Sequence, residues 1–166
     1  MANEDYIATG TALLVNGEAG ANYAWSVEGL TNANGRVSAQ IDLGASPRAY
    51  KFKWICEVQF QATPTQYKGL ALYKAGAADA TNTRLAGDIG TTDAALGDVD
   101  MRENLEFFGY VVSENAAASE KCISSGYFEH YDRYLSLVAY NDSGATVNAT
   151  DSNFIFTLQP IAHQGQ

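Results

Sequence analysis

Residues 48–61 read RAYKFKWICEVQFQ, and this stretch decides the fold. Large apolar side chains occupy every second position in it, namely Tyr50, Phe52, Trp54, Cys56, Val58 and Phe60. A period of two is the spacing of side chains along one face of a β-strand. The stretch therefore predicts a long strand with one buried face. At about 3.3 Å per residue it spans roughly 40 Å, enough to cross a whole sandwich.

Seven shorter stretches carry the same kind of pattern: residues 11–15, 36–43, 69–73, 106–113, 121–128, 133–141 and 154–159. Turn-forming sequences separate them, such as Asn16-Gly17 and the NDSG of residues 141–144. Helical signals are nearly absent, and only one short helical turn is predicted, near residues 101–105. We predict an all-β fold, an antiparallel β-sandwich of about eight strands and of the jelly-roll kind, with a partly closed barrel as the alternative.

The size and composition suit a single core. Of the 166 residues, 46% are hydrophobic, and ten tyrosines, seven phenylalanines and two tryptophans supply the bulky rings that sheet faces favour. We therefore predict one β-sandwich domain over residues 1–166, with short flexible ends at the N- and C-termini.

The charge balance is acidic, with 19 Asp and Glu against 10 Lys and Arg and a formal net charge of -9. Such a charge repels a phosphate backbone, so nucleic acid is not an expected partner. The opening residues MANED resemble no signal peptide, and no stretch approaches the about 20 apolar residues of a membrane span. We expect a soluble protein that is made in a cytoplasm and has no membrane partner.

Few residues are suited to catalysis. The two histidines are His130 and His163, and His130 lies between Glu129 and Asp132, which could orient it as a general base. The alternative is a polar turn between two strands. We favour the turn because the chain has neither a Gly-x-Ser-x-Gly nucleophile motif nor a glycine-rich nucleotide motif. The sequence thus predicts no enzyme, no catalytic residue and no cofactor.

Two further features leave alternatives open. Cys56 and Cys122 are predicted to be buried thiols on strands, and whether they lie close together is open.

Five aspartates fall within residues 74–104: Asp79, Asp88, Asp93, Asp98 and Asp100. We interpret them as a solvated acidic loop rather than a calcium site, because their spacing matches no calcium-loop template. No metal ligand is assigned.

Basic and acidic side chains are concentrated in two different segments of the chain. Residues 48–74 carry five basic side chains against Glu57, a net of +4, and residues 75–105 carry six acidic side chains against two arginines, a net of -4. Such polarity suits packing against a partner or another copy. A connection as long as residues 74–104 is typical of a contact segment. The candidate interface residues are Lys51, Lys53, Lys68, Asp88, Asp93, Asp98 and Asp100.

Residues 131–145, YDRYLSLVAYNDSGA, resemble the C-terminal part of small virion proteins of tailed phages. The shared features are a strand reading R-Y-x-S-L-V, then N-x-S-G-A, and later an apolar last strand, here FIFTLQPI at residues 154–161. The resemblance covers roughly the last third of the chain. It implies a β-sandwich displayed on a capsid or tail, binding as a symmetric oligomer without a cofactor, and it carries over no catalytic residue.

Two functions follow from these observations as hypotheses. The first is a capsid decoration (cement) protein, made in the host cytoplasm, whose homo-oligomers, with a trimer as one candidate, bind the major capsid protein on the virion surface. The second is a carbohydrate-binding module or tail-fibre lectin. In that case exposed aromatic side chains would stack on sugar rings, and the candidates are Tyr23, Trp25, Tyr67 and Tyr73.

Overall fold

The computed structural model describes residues 6–9, 12–15, 20–44, 49–77, 79–80, 90–113, 117–118, 120–150 and 152–164. In these ranges the strands are β1 (Tyr6–Thr9), β2 (Leu13–Leu14), β3 (Gly35–Val37), β4 (Ile41–Asp42), β5 (Lys51–Gln59), β6 (Gly69–Ala77), β7 (Ala94–Ala95), β8 (Glu106–Val112), β9 (Lys121–Glu129), β10 (Tyr134–Asn141) and β11 (Phe154–Gln164). A 3-10 helix at Val99–Asn104 lies where the sequence predicts a helical turn. No α-helix occurs in the described ranges, and the prediction of an all-β fold is confirmed.

The strands form two sheets whose strand pairs are antiparallel. The first sheet has the order β1-β11-β5-β9, with β2 also paired to β11. The second has the order β7-β3-β10-β6-β8, with β4 also paired to β10. The main hydrophobic core contains residues of both sheets, which is consistent with the predicted β-sandwich.

Strand β5 alternates as the sequence predicts. Phe52, Trp54, Cys56 and Val58 are buried, and Ile55 between them is exposed. The strand has nine residues, so it spans about 30 Å and not the predicted 40 Å. At its C-terminal end its neighbours stop: Gln59 pairs with Lys121 at the start of β9, and Phe60 makes only an isolated bridge to Val147.

The predicted strand at residues 36–43 is divided into β3 and β4. Between them the Leu137 N–H donates to Oγ of Ser38 at 3.0 Å, while the Ser38 N–H donates to the Leu137 carbonyl at 2.8 Å. A side-chain oxygen thus replaces one backbone acceptor of the sheet ladder. Ser38 is fully buried, so this exchange also satisfies its hydroxyl.

Residues 90–105 cover the outer face of the second sheet. β7 pairs with β3, and a second, smaller apolar cluster forms beneath this segment, made of Val37, Ala75, Leu96, Leu105 and Val138. Strand β6 extends to Ala77, so the connection predicted over residues 74–104 begins later than expected. Its described C-terminal part therefore packs against the chain's own sheet.

Cys56 and Cys122 are both buried free thiols, as predicted. They lie on neighbouring strands but are offset, because Cys56 pairs with Ser124 and Cys122 pairs with Val58. Burial raises the pKa of both thiols above its ordinary value, so both remain protonated.

Candidate binding surfaces

The outer face of the first sheet carries exposed apolar side chains. Ile55 is 41% exposed, Ile123 60% and Tyr127 58%, and these three residues are called the apolar patch below. The register explains why they are neighbours: Ile55 pairs with Ser125, so Ile123 and Tyr127 lie two positions to either side of its partner. All three point away from the core because the inner positions of β5 and β9 are taken by alternate residues.

Charged side chains border the apolar patch. Lys53 pairs with Tyr127, and Nζ of Lys51 lies 5.8 Å from the centroid of the Tyr127 ring, within the range of a cation–π contact. At the other side, Lys121 forms an ion pair with Glu57. The patch is therefore an apolar strip with two lysines at one end and an ion pair at the other.

The predicted interface residues do not form one surface. Lys51 and Lys53 meet beside the apolar patch, whereas Lys68 lies beyond the other end of β5, with its Nζ 3.5 Å from Oδ1 of Asp142. Asp93 belongs to the segment on the second sheet. Asp98 is exposed, Asp100 lies in the 3-10 helix, and Asp88 falls outside the described residues.

Asp93 is tied into the fold. Its Oδ1 accepts a hydrogen bond from Nε of Arg36 at 2.6 Å, and its Oδ2 accepts from the backbone N–H and the hydroxyl of Ser26 at 3.0 and 2.5 Å. Partial burial acts to raise the pKa of this carboxyl, but the hydrogen bonds from Arg36 and Ser26 outweigh it and hold the pKa below its ordinary value. The role of Asp93 is thus to fasten residues 90–105 to β3.

A pocket of about 570 Å³ opens at one end of the sandwich. It lies between the end of β6, the start of β8 and the turn from β9 to β10. Its polar lining comes from six residues: Lys74, Asn104, Glu106, Glu129, His130 and Asp132. The aromatic residues at its more exposed margin are Phe107, Tyr127 and Tyr131, so the pocket meets the apolar patch at Tyr127.

Lys74 is the least expected residue of the pocket. It is only 3% exposed, and its Nζ pairs with Oε2 of Glu106 at 2.5 Å and lies 5.6 Å from the centroid of the Phe128 ring. A buried ammonium group requires such partners. The sequence signal for its burial is its position, two residues after Leu72 on the inner face of β6.

His130 is also buried, at 4% exposure, and its Nε2 donates to the Tyr134 carbonyl at 3.0 Å. Burial lowers the pKa of this imidazole, and the nearby Lys74 ammonium lowers it further, so the ring is neutral near pH 7. Glu129 accepts a hydrogen bond from the Tyr131 hydroxyl at 2.6 Å. His130 therefore lies in the turn between β9 and β10, and its Nε2–H holds that turn in place.

Glycine at position 76 makes room for these polar groups. A Cβ at Gly76 would lie 2.0 Å from Oδ2 of Asp132 and 2.8 Å from Cε1 of His130. Any side chain there would displace one or both groups. The pocket floor thus depends on the close approach of the β6 backbone to the turn after β9.

The aromatic residues proposed for sugar stacking lie in different environments. Trp25 is fully buried, packs edge-on against Phe154 and Phe156, and donates from Nε1 to the Arg36 carbonyl, so its prediction as an exposed residue is wrong. Its large ring area is needed in the core. Tyr23 and Tyr73 are half-buried, and Tyr67 is 69% exposed in the connection between β5 and β6.

Within the described part of the chain, no group of three or more His, Cys, Asp or Glu side chains is placed to hold a metal ion. Among the same residues, no helix has the length and apolar character needed to cross a membrane. No protein family matches the sequence, and no curated protein is significantly similar to it.

Proposed function

We propose that this protein is a non-enzymatic structural protein of a tailed-phage virion, a decoration (cement) protein on the outside of the capsid. In this role it binds the shell of major capsid protein and stabilises it. The support comes from the strand order, the outer face of the first sheet and the resemblance of residues 131–145 to small virion proteins.

We infer a jelly roll from the strand order. If β1 with β2 and β3 with β4 each count as one strand, and the two-residue β7 is left aside, the sheets read 1-8-3-6 and 2-7-4-5. These are the orders that result when a long antiparallel ribbon wraps into two sheets. Jelly rolls of this kind are common in viral capsid proteins, which makes the order relevant to the proposed role.

The apolar patch is the observation that carries the proposal. Ile55, Ile123 and Tyr127 are exposed side by side on the outer face of the first sheet, where their contact with water is unfavourable. Lys51 and Lys53 beside them add positive charge to a chain that is acidic as a whole. Such a surface suits a flat partner that is apolar at its centre and acidic at its margin.

Attachment to a capsid needs only modest affinity per copy. Symmetric oligomers place several identical patches on one repetitive shell, and each bound copy raises the effective concentration of the others. Binding across neighbouring capsid subunits then opposes their separation without any chemical step. The expected oligomer is a closed homo-oligomer, with a trimer as one candidate.

The test combines light-scattering mass with co-sedimentation on capsids of the phage that encodes the chain. The wild-type protein is expected to bind with saturation as a defined oligomer, and Ile123→Asp is expected to abolish binding because it buries a charge in the interface. Tyr67→Asp is the matched control, since Tyr67 is equally exposed but lies outside the patch. Failure of the wild-type protein to sediment with capsids, or unchanged binding of Ile123→Asp, would contradict the proposal.

A further inference from the structure

We infer that the pocket at the end of the sandwich is a binding site for a neutral saccharide. The inference is independent of the proposed capsid role, because it rests on Phe107, Tyr131 and the polar pocket lining and not on Ile55 or Ile123. It also assigns sugar stacking to different aromatic residues from those that the sequence indicates.

The pocket margin supplies aromatic faces in solvent. Tyr131 is 67% exposed and Phe107 56%, although both are large and line the same opening. Tyr131 stacks on Tyr50 with 5.7 Å between centroids and 14° between planes, and Phe107 packs edge-on against Tyr73. The rings are therefore held in place while exposed area remains for the C–H face of a sugar ring.

The pocket lining supplies hydrogen-bond partners for hydroxyl groups. Carboxylates of Glu106, Glu129 and Asp132 are acceptors, and the Asn104 amide has both donor and acceptor atoms. A sugar presents hydroxyls at its edge and C–H groups on its faces, so it can use both kinds of lining at once. A purely apolar ligand would instead leave these polar groups desolvated.

The charges select against anionic ligands. Three carboxylates, Glu106, Glu129 and Asp132, face one ammonium group, Lys74, which is already paired with Glu106, and His130 is neutral. A phosphate or a uronic acid would therefore meet net negative charge. A neutral polyhydroxyl ligand avoids this repulsion. A cation would be attracted by the same carboxylates, so a cationic probe is the decisive competitor of a neutral sugar.

The pocket is also preformed. The Lys74–Glu106 pair, the Tyr131–Glu129 hydrogen bond and the bond from His130 to the Tyr134 carbonyl fix most of its polar lining. Groups that are already ordered lose little conformational entropy when a ligand binds. Weak sugar contacts can then give measurable affinity.

The experiment is a titration of the full chain, followed by ¹H–¹⁵N NMR, with a panel of neutral oligosaccharides built on glucose, galactose, mannose and N-acetylglucosamine. Galacturonate oligomers and choline serve as the anionic and cationic probes. The variants are Tyr131→Ala and Phe107→Ala, with Tyr67→Ala as the control for loss of an equally exposed tyrosine. A folded spectrum of each variant is required before its titration is interpreted.

At least one neutral oligosaccharide is expected to shift the resonances of Asn104, Phe107 and Tyr131. Tyr131→Ala and Phe107→Ala should each weaken that binding by roughly tenfold, whereas Tyr67→Ala should leave it unchanged. Three results would overturn the inference: no neutral sugar binds at millimolar concentration, binding is equal in all variants, or only choline or galacturonate binds.

Discussion

Trp54 and Gly109 touch across the sandwich, the first from β5 in one sheet and the second from β8 in the other. A Cβ at Gly109 would lie 2.4 Å from Cζ2 of the indole, and one at Gly126 on β9 would lie 2.8 Å from its Nε1. The indole is 3% exposed and also stacks on Phe156. Two glycines on two sheets thus form the slot that accepts the ring.

Gly109→Ala is expected to destabilise the protein by about 1–3 kcal/mol, because the new methyl group overpacks a well-filled core. Urea unfolding measures the change. Gly97→Ala is the matched control, since nothing lies within 4 Å of a Cβ at that position. Equal stability of the two variants would show that the indole has room to move.

Asp93→Asn is expected to lower the free energy of unfolding by about 1–3 kcal/mol, because it weakens charged hydrogen bonds from Arg36 and Ser26. Asp142→Asn is the control. Its partner Lys68 is 3.5 Å away and both side chains are 50% exposed, so its loss should cost about 0.5 kcal/mol or less. Equal losses in both variants would contradict the fastening role of Asp93.

Comparison of the wild type with Asp93→Asn also predicts that the contribution of Asp93 to stability depends on acid pH. Because the folded-state pKa of Asp93 is lowered from 3.8, its contribution is complete above pH 4 and is lost as the pH falls through the folded value. The stability difference between the wild type and Asp93→Asn should therefore narrow below pH 4. Urea unfolding curves at pH 6 and pH 3 measure this stability difference. If the difference is the same at both pH values, the ionised Asp93 carboxylate is not its source.

His130 is expected to make the stability of the fold depend on pH in a higher range. Its folded-state pKa is lowered from 6.5, chiefly by burial, so the unfolded chain binds a proton first as the pH falls. Stability should thus decline below about pH 6.5. His130→Gln, which can still donate to the Tyr134 carbonyl, should not show this decline between pH 7.5 and 5.5. His163→Gln should still show the decline. If the decline is absent in His163→Gln, its source is His163 and not His130.

Asn141 organises the turn that follows β10. Its Nδ2 donates to the carbonyls of Leu30 and Ala145, both at 2.8 Å, and its Oδ1 accepts from the N–H and hydroxyl of Ser143. Asn141 is fully buried, so Asn141→Ala removes these four hydrogen bonds, leaves the Ser143 N–H without its acceptor and should cost about 2–4 kcal/mol. Asn148→Ala, in a half-buried position, should cost less than half as much in thermal or urea unfolding.

Much of each candidate site depends on pairing between strands that are distant in the sequence, and the order of residues along the chain does not show this pairing. The outward direction of Ile55 was readable from its place between Trp54 and Cys56. Its neighbours Ile123 and Tyr127 were not, because they belong to β9, which pairs with β5 only in the folded sheet. The positions of the predicted interface residues also depend on the fold, since Lys68 lies beside Asp142 and Asp93 is bound to Arg36 on β3.

The sequence by itself determined the strand character of this chain, because burial with a period of two is a local property of each stretch. It therefore located β5, β8, β9 and β10 closely, and it located the start of β11, which runs five residues further than predicted. Only the tertiary structure decided that Trp25 is core, that Lys74 is buried beside Glu106 and that Asp93 fastens its segment to Arg36. These outcomes depend on contacts between residues distant in the chain, and such contacts exist only once the two sheets have packed.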